Sequence, residues 1–402
     1  AATTSRVIVK RVLRVEASTI ERMVRTLAIG RLASRDQIEA AEFTDALRQI
    51  ARVMPAAPYS SPNLRLGPAP ELESTSALLH FPLRVTEAIR RRFAAFPLRL
   101  RMRRHKRWLR VVGTHVAPDQ EAEAFFSYEA ETPWSRQGGL LVDLGEEAAE
   151  TLARRLTSDF RAREAPPVEP GPWPLVLGPG AAAVLLHEAV AHALETDTLA
   201  LGGKIEAALG VEIGSDLLNV LDNPSGGPET VRRQTDDEGM RVVQRWLLRG
   251  GAVEQVLADL FTAHHSPDLI AGSGRRGDRH LAPVPRSTHL ELLGGESTLA
   301  ELIAGLRSGL YFSEASRGAL DPLSGEFSLR LSGGRQIDQG ELSLPVAPCG
   351  LRGKVSDLLG AVDGIGVDRV LAGAGWCAKG GIRLPVWATT PPLRLSSAEV
   401  IP

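Results

Sequence analysis

The 402-residue chain, 43% hydrophobic and 24% charged, is long enough for two or three domains and has the composition of a folded globular protein, not a disordered or fibrous one. A net charge of −1 gives no global reason to expect nucleic acid or a membrane as partner. No run approaches the roughly 18 unbroken apolar residues of a membrane span and no secretory pattern opens the sequence, so a cytoplasmic protein is expected.

In chain order, the first half mixes helical patterns at residues 18–29, 34–53 and 146–163 with strand-like runs near 7–15 and 98–112, which predicts an α+β domain over residues 1–165. From Arg84 to Arg110 there are eleven Lys and Arg against one acid, Glu87. Leu98, Leu100 and Met102 alternate there with Arg99, Arg101 and Arg103, the period of a strand with one apolar and one basic face. A solvated outer face is the plain reading of that charge; contact with an acidic partner is the functional one. The proline-rich run at 165–174 cannot continue a helix or form a central strand, which makes 166–174 a linker.

Residues 175–402 read as a β-rich domain of largely antiparallel strands carrying one kinked, metal-binding helix. The helix, residues 181–194, is strongly apolar and follows the breaker Gly178-Pro179-Gly180. Strands are expected at 242–248 and 253–257 around Gly250-Gly251, and at 327–331, 335–337 and 342–346, separated by Gly333-Gly334 and Asp338-Gln339-Gly340. Residues 299–306 and 355–362 are the expected helical interruptions. Asp236, Asp237 and Glu238 precede Gly239 and read as a turn, and His264 and His265 as loop residues.

The chemistry concentrates on the helix. His187 and His192 flank Glu188 in a His-Glu-Ala-Val-Ala-His string. Metal chemistry needs neutral nitrogen or anionic sulfur donors on a rigid support, with a position left for water. Five residues apart in a straight α-helix, the two imidazoles would stand about 140° out of line, so the spacing predicts a π-type turn or kink between them. Glu188 is the expected general base toward a metal-activated water. Two histidines leave a metal short of a ligand: Cys377, in a glycine-rich segment, is one candidate, and Glu195 and Asp197 are others. Cys349, at a strand end, is expected to be structural. Arg275 and Arg276, between glycines, could grip a carboxylate.

The segment 185–197, LLHEAVAHALETD, resembles the metal helix of the TldD/TldE (PmbA) metallopeptidase family in its catalytic TldD-type form. Blocks at 235–239, 272–276, 285–289, 309–311 and 377–381 follow in the family order, so the resemblance covers about residues 171–402. It implies a zinc-dependent hydrolase acting on peptide bonds of small or unfolded peptides, with His187, His192 and Cys377 as ligands and Glu188 as base. It also implies pairing with a TldE-like homologous subunit, a homodimer being the other arrangement. Ala191, Ala193, Thr196 and Ala378 stand where the family usually has glycine, and His289 replaces an asparagine on the expected substrate side, beside Arg275 and Arg276. An amide hydrolase specialised for a peptide-like biosynthetic intermediate, and a non-catalytic partner subunit of the same fold, are the alternatives.

Overall fold

The computed structural model describes residues 75–93, 96–111, 119–133, 135–162, 164–201, 208–266, 268–277, 281–372 and 375–402. The elements expected at 7–15, 18–29 and 34–53 lie outside the described residues. What is described is α+β, with a strand-rich C-terminal region.

Helices α1 (Thr75–Arg90) and α2 (Glu146–Ala162) pack on an antiparallel sheet of β1 (Arg99–Val111), β2 (Asp119–Glu131) and β3 (Arg136–Leu141) in the order 1-2-3. Phe81, Val85 and Ile89 of α1 and Leu152 and Leu156 of α2 close over Phe126 and Tyr128 of β2. The alternation in β1 is resolved as the sequence suggests: Leu100 and Met102 are half-buried, while Arg99, Arg101 and Arg103 are exposed. The antiparallel register sets these arginines beside acids of β2, giving ion pairs of Arg99 with Glu131 (3.7 Å), Arg101 with Glu129 (3.9 Å) and Arg103 with Glu129 (3.2 Å). Exposed pairs contribute roughly 0–1 kcal/mol each, so their main effect is to neutralise the basic face from within the sheet.

The rest is built around two larger sheets. One runs Ser308–Leu320, β4 (Gly171–Leu177), Leu393–Ile401, Cys349–Lys354, Glu326–Asp338, Glu341–Val346, and it closes on itself because Ser308–Leu320 also pairs with Glu326–Asp338. The other runs Val370–Leu371, Ile382–Thr390, His289–Leu292, Val220–Asp222, Arg245–Arg249, Ala252–Val253, with Gly375–Lys379 attached to Ile382–Thr390. Among the described strands, β4 with Ser308–Leu320 and His289–Leu292 with Ile382–Thr390 pair in parallel. Helix α3 (Pro179–Leu186) shares one core with residues of both sheets, its Ala181, Ala182, Ala183, Leu185 and Leu186 all buried.

Several sequence expectations are corrected. The linker stops short of Gly171, because Gly171–Leu177 is a strand. Its prolines are tolerated there because only Leu175–Leu177 pairs on both sides, and the remaining neighbour, Leu393–Ile401, shifts register between Leu395 and Ala398 beside them. Gly333-Gly334 is not a turn but the middle of Glu326–Asp338; a Cβ on Gly334 would collide with the Phe312 ring and come within 2.6 Å of Val346. The turn is at Gln339 and Gly340, both at positive φ (49° and 82°). The segment 242–257 forms strands only over Arg245–Arg249 and Ala252–Val253. His264 and His265 close the short helix Leu260–His265, not a loop.

Candidate metal centre

Helix α3 begins at Gly178-Pro179, with proline at its first turn, where a missing N–H costs nothing. Gly180 is required by packing: a Cβ there would sit 2.8 Å from the Ser313 carbonyl. The helix then widens. His187–Ala191 is a π turn in which the His192 N–H donates to the His187 carbonyl five residues back, and a single 3₁₀ turn, His192–Leu194, follows before the backbone becomes extended at Glu195. The added residue swings His192 to the side of His187, with ring centroids 4.5 Å apart and planes at 61°.

The opposite wall is the strand Gly375–Lys379, joined to Ile382–Thr390 by a tight hairpin at Gly380-Gly381, both at positive φ (60° and 74°). Strand alternation places Cys377 and Lys379 on one face and Trp376 on the other. Cys377 Sγ lies 3.4 Å from His192 Nε2, and one donor atom each from His187, His192 and Cys377 lies within 4.8 Å of the others. Trp376 turns instead toward β1 and β2, where His105 and Phe125 meet it at centroid distances of 5.6 and 6.0 Å.

These donors fit a divalent metal. Around a tetrahedral zinc with bonds of about 2.0–2.3 Å, neighbouring donors stand roughly 3.3–3.7 Å apart, the range in which Cys377 and His192 are found. Among the described residues, neither buried ring nitrogen of His187 has a hydrogen-bond partner. Burial, reinforced by His192, pushes His187 down to about 3, so it is the neutral imidazole a metal requires. Burial works against charge on His192, yet Glu195 and Cys377 hold it up at about 10.

Glu195 is fully buried and accepts from His192 Nδ1 through both oxygens, at 2.9 and 3.0 Å. That bond assigns the proton to Nδ1 and leaves Nε2 to face Cys377. Lys379 and Arg286 (3.2 Å) also reach Glu195, and both bond Asp197, at 3.1 and 2.7 Å. Burial alone would raise the Glu195 carboxyl, but His192, Arg286 and Lys379 hold it below the usual carboxylate range. Neither Glu195 nor Asp197 joins the three-donor group.

Glu188 projects from the π turn, 9% exposed, and burial raises its carboxyl above the ordinary glutamate range. It lies against Gly318, whose absent Cβ leaves room for it. Gly318 falls in the register shift between Ser316 and Ala319, a bulge of the kind that re-aims chains next to functional sites.

The other expected site residues are not gathered here. Arg275 is buried, and its guanidinium donates to the Ser287 carbonyl (2.9 Å), Thr288 Oγ1 (3.0 Å) and the Pro385 carbonyl (3.1 Å), which makes it a brace rather than an open carboxylate fork. Arg276 is half-buried, with its backbone N–H on Asp237 (2.6 Å). His289 is buried and bonds Thr389 Oγ1 at 2.8 Å. The Asp236–Glu238 segment is a turn closed by Gly239 (φ 84°), but Asp237 does more than turn the chain: fully buried, it binds Arg233 (2.5 Å) and Arg107 of β1 (2.6 Å). Sequence reading did not single out Lys379, Arg286 or Gly318. Lys379 carried one usable signal, its place in the block 377–381 two residues after Cys377.

Residues 170–401 match the sequence profile of the PmbA/TldA metallopeptidase C-terminal domain. A metalloprotease TldD homolog of Buchnera aphidicola subsp. Acyrthosiphon pisum is 29% identical over 232 residues, which are 57% of this chain and 48% of that protein. A metalloprotease of Methanothermobacter thermautotrophicus is 32% identical over 268 residues, 65% of this chain and 58% of that protein. The chain thus spans about half the length of the curated relatives it matches. In three dimensions it is similar to TldE from Thermococcus kodakarensis, with a TM-score of 0.69 at 16% identity over 94% of this chain and 87% of that one, which speaks for the fold.

Proposed function

The chain belongs to the PmbA/TldD family of metallopeptidases, and from that premise we propose that it is a zinc metallohydrolase cleaving amide bonds of small or unfolded peptides. His187, His192 and Cys377 are its zinc ligands and Glu188 its general base. The observation that supports this most is the π turn, which sets His187 and His192 on one side of the helix, opposite Cys377. Zinc in such a site supplies Lewis-acid polarisation of a carbonyl and activation of water.

The chain's own residues do the rest. Glu188, with its carboxyl raised by burial, takes a proton from the attacking water and returns it to the leaving nitrogen. Glu195 holds the His192 ring in the tautomer that presents Nε2. The unit that carries this chemistry begins at β4, and the β1–β3 sheet backs the cysteine strand through Trp376. By analogy with its relatives, the working form is a pair with a TldE-like subunit, or a homodimer.

The test is zinc content and hydrolysis of an unfolded peptide, measured on the purified chain alone and co-expressed with a TldE-like subunit. Wild type is expected to carry one zinc per chain and Cys377→Ala much less, while Glu188→Gln keeps its zinc and loses about 10²–10⁴-fold in rate. Undiminished zinc in Cys377→Ala, or unchanged hydrolysis in Glu188→Gln, would overturn the assignment.

A further inference from the structure

We propose that Lys379 is a positioning residue for the metal group, fastening the strand Gly375–Lys379 to the end of the metal helix and thereby delivering Cys377 to the two histidines. This rests on the zinc reading above. Among the described residues that strand has a hydrogen-bonded neighbour on one side only, Ile382–Thr390, so the ladder does not fix how closely it approaches His192. Two side chains on its inner face make the crossing: Cys377 meets His192 Nε2, and Lys379, one pleat further on, meets Glu195, Asp197 and the Thr198 hydroxyl.

Glu195 is the joint. Its carboxylate orients His192 from the helix side and holds Lys379 from the strand side, so one buried group fixes both a ligand's ring and the approach of the strand bearing another ligand. Arg286 ties Glu195 to Asp197 and completes a ring of two acids and two bases with no net charge. Lys379 itself is 27% exposed, so replacing it leaves a position that water can reach. A merely structural ion pair would affect folding without regard to metal. A positioning role changes affinity for the ion and the sulfur's bond to it.

The experiment titrates the full chain with zinc against a chromophoric chelator and records the thiolate-to-cobalt absorption of the cobalt-loaded protein, for wild type, Lys379→Met, Lys379→Arg, Glu195→Gln and the Lys379→Met/Glu195→Gln double variant. Lys379→Met is expected to bind zinc about 10–100-fold more weakly and to show a reduced band per bound cobalt, both restored to within a few-fold by Lys379→Arg. The double variant should lose much less than the product of the single losses, because the two residues act as one unit. If Lys379→Met does not fold, Lys379→Gln, which keeps a donor for Thr198 and drops the charge, carries the same expectation. Wild-type affinity with an undiminished cobalt band in Lys379→Met sinks the proposal and leaves the zinc reading standing, as does a loss of thermal stability alone. Failure of the wild type to take up zinc, or full retention in Cys377→Ala, sinks the zinc reading itself.

Discussion

Replacing Asp237 by asparagine removes one negative charge from the point where β1 is pinned to the strand-rich part of the chain. The carboxylate has no exposed surface and accepts from Arg233 at 2.5 Å, Arg107 at 2.6 Å and the Arg276 backbone N–H at 2.6 Å. Hydrogen bonds to charged groups contribute about 1.5–3 kcal/mol each, and asparagine keeps one acceptor while presenting an amide N–H₂ toward an arginine. Glu123, which pairs with Arg107 at 3.1 Å and with Arg233 at 3.7 Å, would then set one carboxylate against two guanidinium groups. Uncompensated buried charge of this kind costs about 3–5 kcal/mol, which at a few degrees per kcal/mol corresponds to a melting temperature lower by on the order of ten degrees. Burial alone would raise the Asp237 carboxyl, but Arg107 and Arg233 hold it far below the usual carboxylate range. With a depressed folded-state value, its contribution is present above the ordinary value near 3.8 and is lost only as pH falls through the folded value. The deficit of Asp237→Asn should therefore be the same at pH 5 and pH 9. Calorimetry and chemical denaturation of the two proteins decide it: a loss under about 1 kcal/mol, or one that fades between pH 5 and 9, would refute the reasoning.

Gly318→Ala puts a methyl group where Glu188 lies; peptide hydrolysis should fall at least tenfold while zinc content stays at the wild-type level, and an unaltered rate would show that Glu188 has other room. Burial, with Asp236 and Asp259 nearby, pushes the Glu238 carboxyl up to about 8 while its oxygen accepts from the Leu260 N–H at 2.7 Å. Being raised from about 4.5, it contributes stability that is fully present below that pH and lost as pH rises through about 8. Thermal melts of Glu238→Gln should accordingly gain on wild type between pH 5 and pH 9, by on the order of a few kcal/mol, and a constant offset would contradict this. Burial lifts the Cys349 thiol to about 12; in the native protein at pH 8 iodoacetamide should leave it unmodified, as peptide mass mapping would reveal, and rapid labelling there would mean that the strand Cys349–Lys354 opens readily.

What the sequence disclosed well were local periodicities and one spacing. The five-residue step from His187 to His192 excludes a regular α-helix as a chelating support, and the π turn follows from that arithmetic. The 98–103 alternation yielded the strand and its faces, but not the acids of β2 that neutralise it, since register across two strands is no local property. Proline and glycine misled where neighbours matter more than the residue: Pro172 and Pro174 sit in a strand because one side is unpaired, and Gly333-Gly334 run through another because bulk is excluded there. Arginine between glycines suggested an open fork, whereas three protein oxygens already occupy Arg275. The bond of Lys379 to Glu195 joins residues 184 apart, and no composition or period carries such a contact.

The π turn is equivalent to one residue inserted into an otherwise continuous helix. Deleting Val190 would return the histidines to a four-residue spacing, yet everything beyond would rotate by about 100° and retreat by about 1.5 Å. Leu194 and Thr196, whose backbone groups bond Leu257 at 2.8 and 3.0 Å, would be carried out of reach, and Glu195 with them. The four- and five-residue forms of the string are thus separate mechanical solutions, and a single deletion cannot convert one into the other without dismantling what the second histidine leads into.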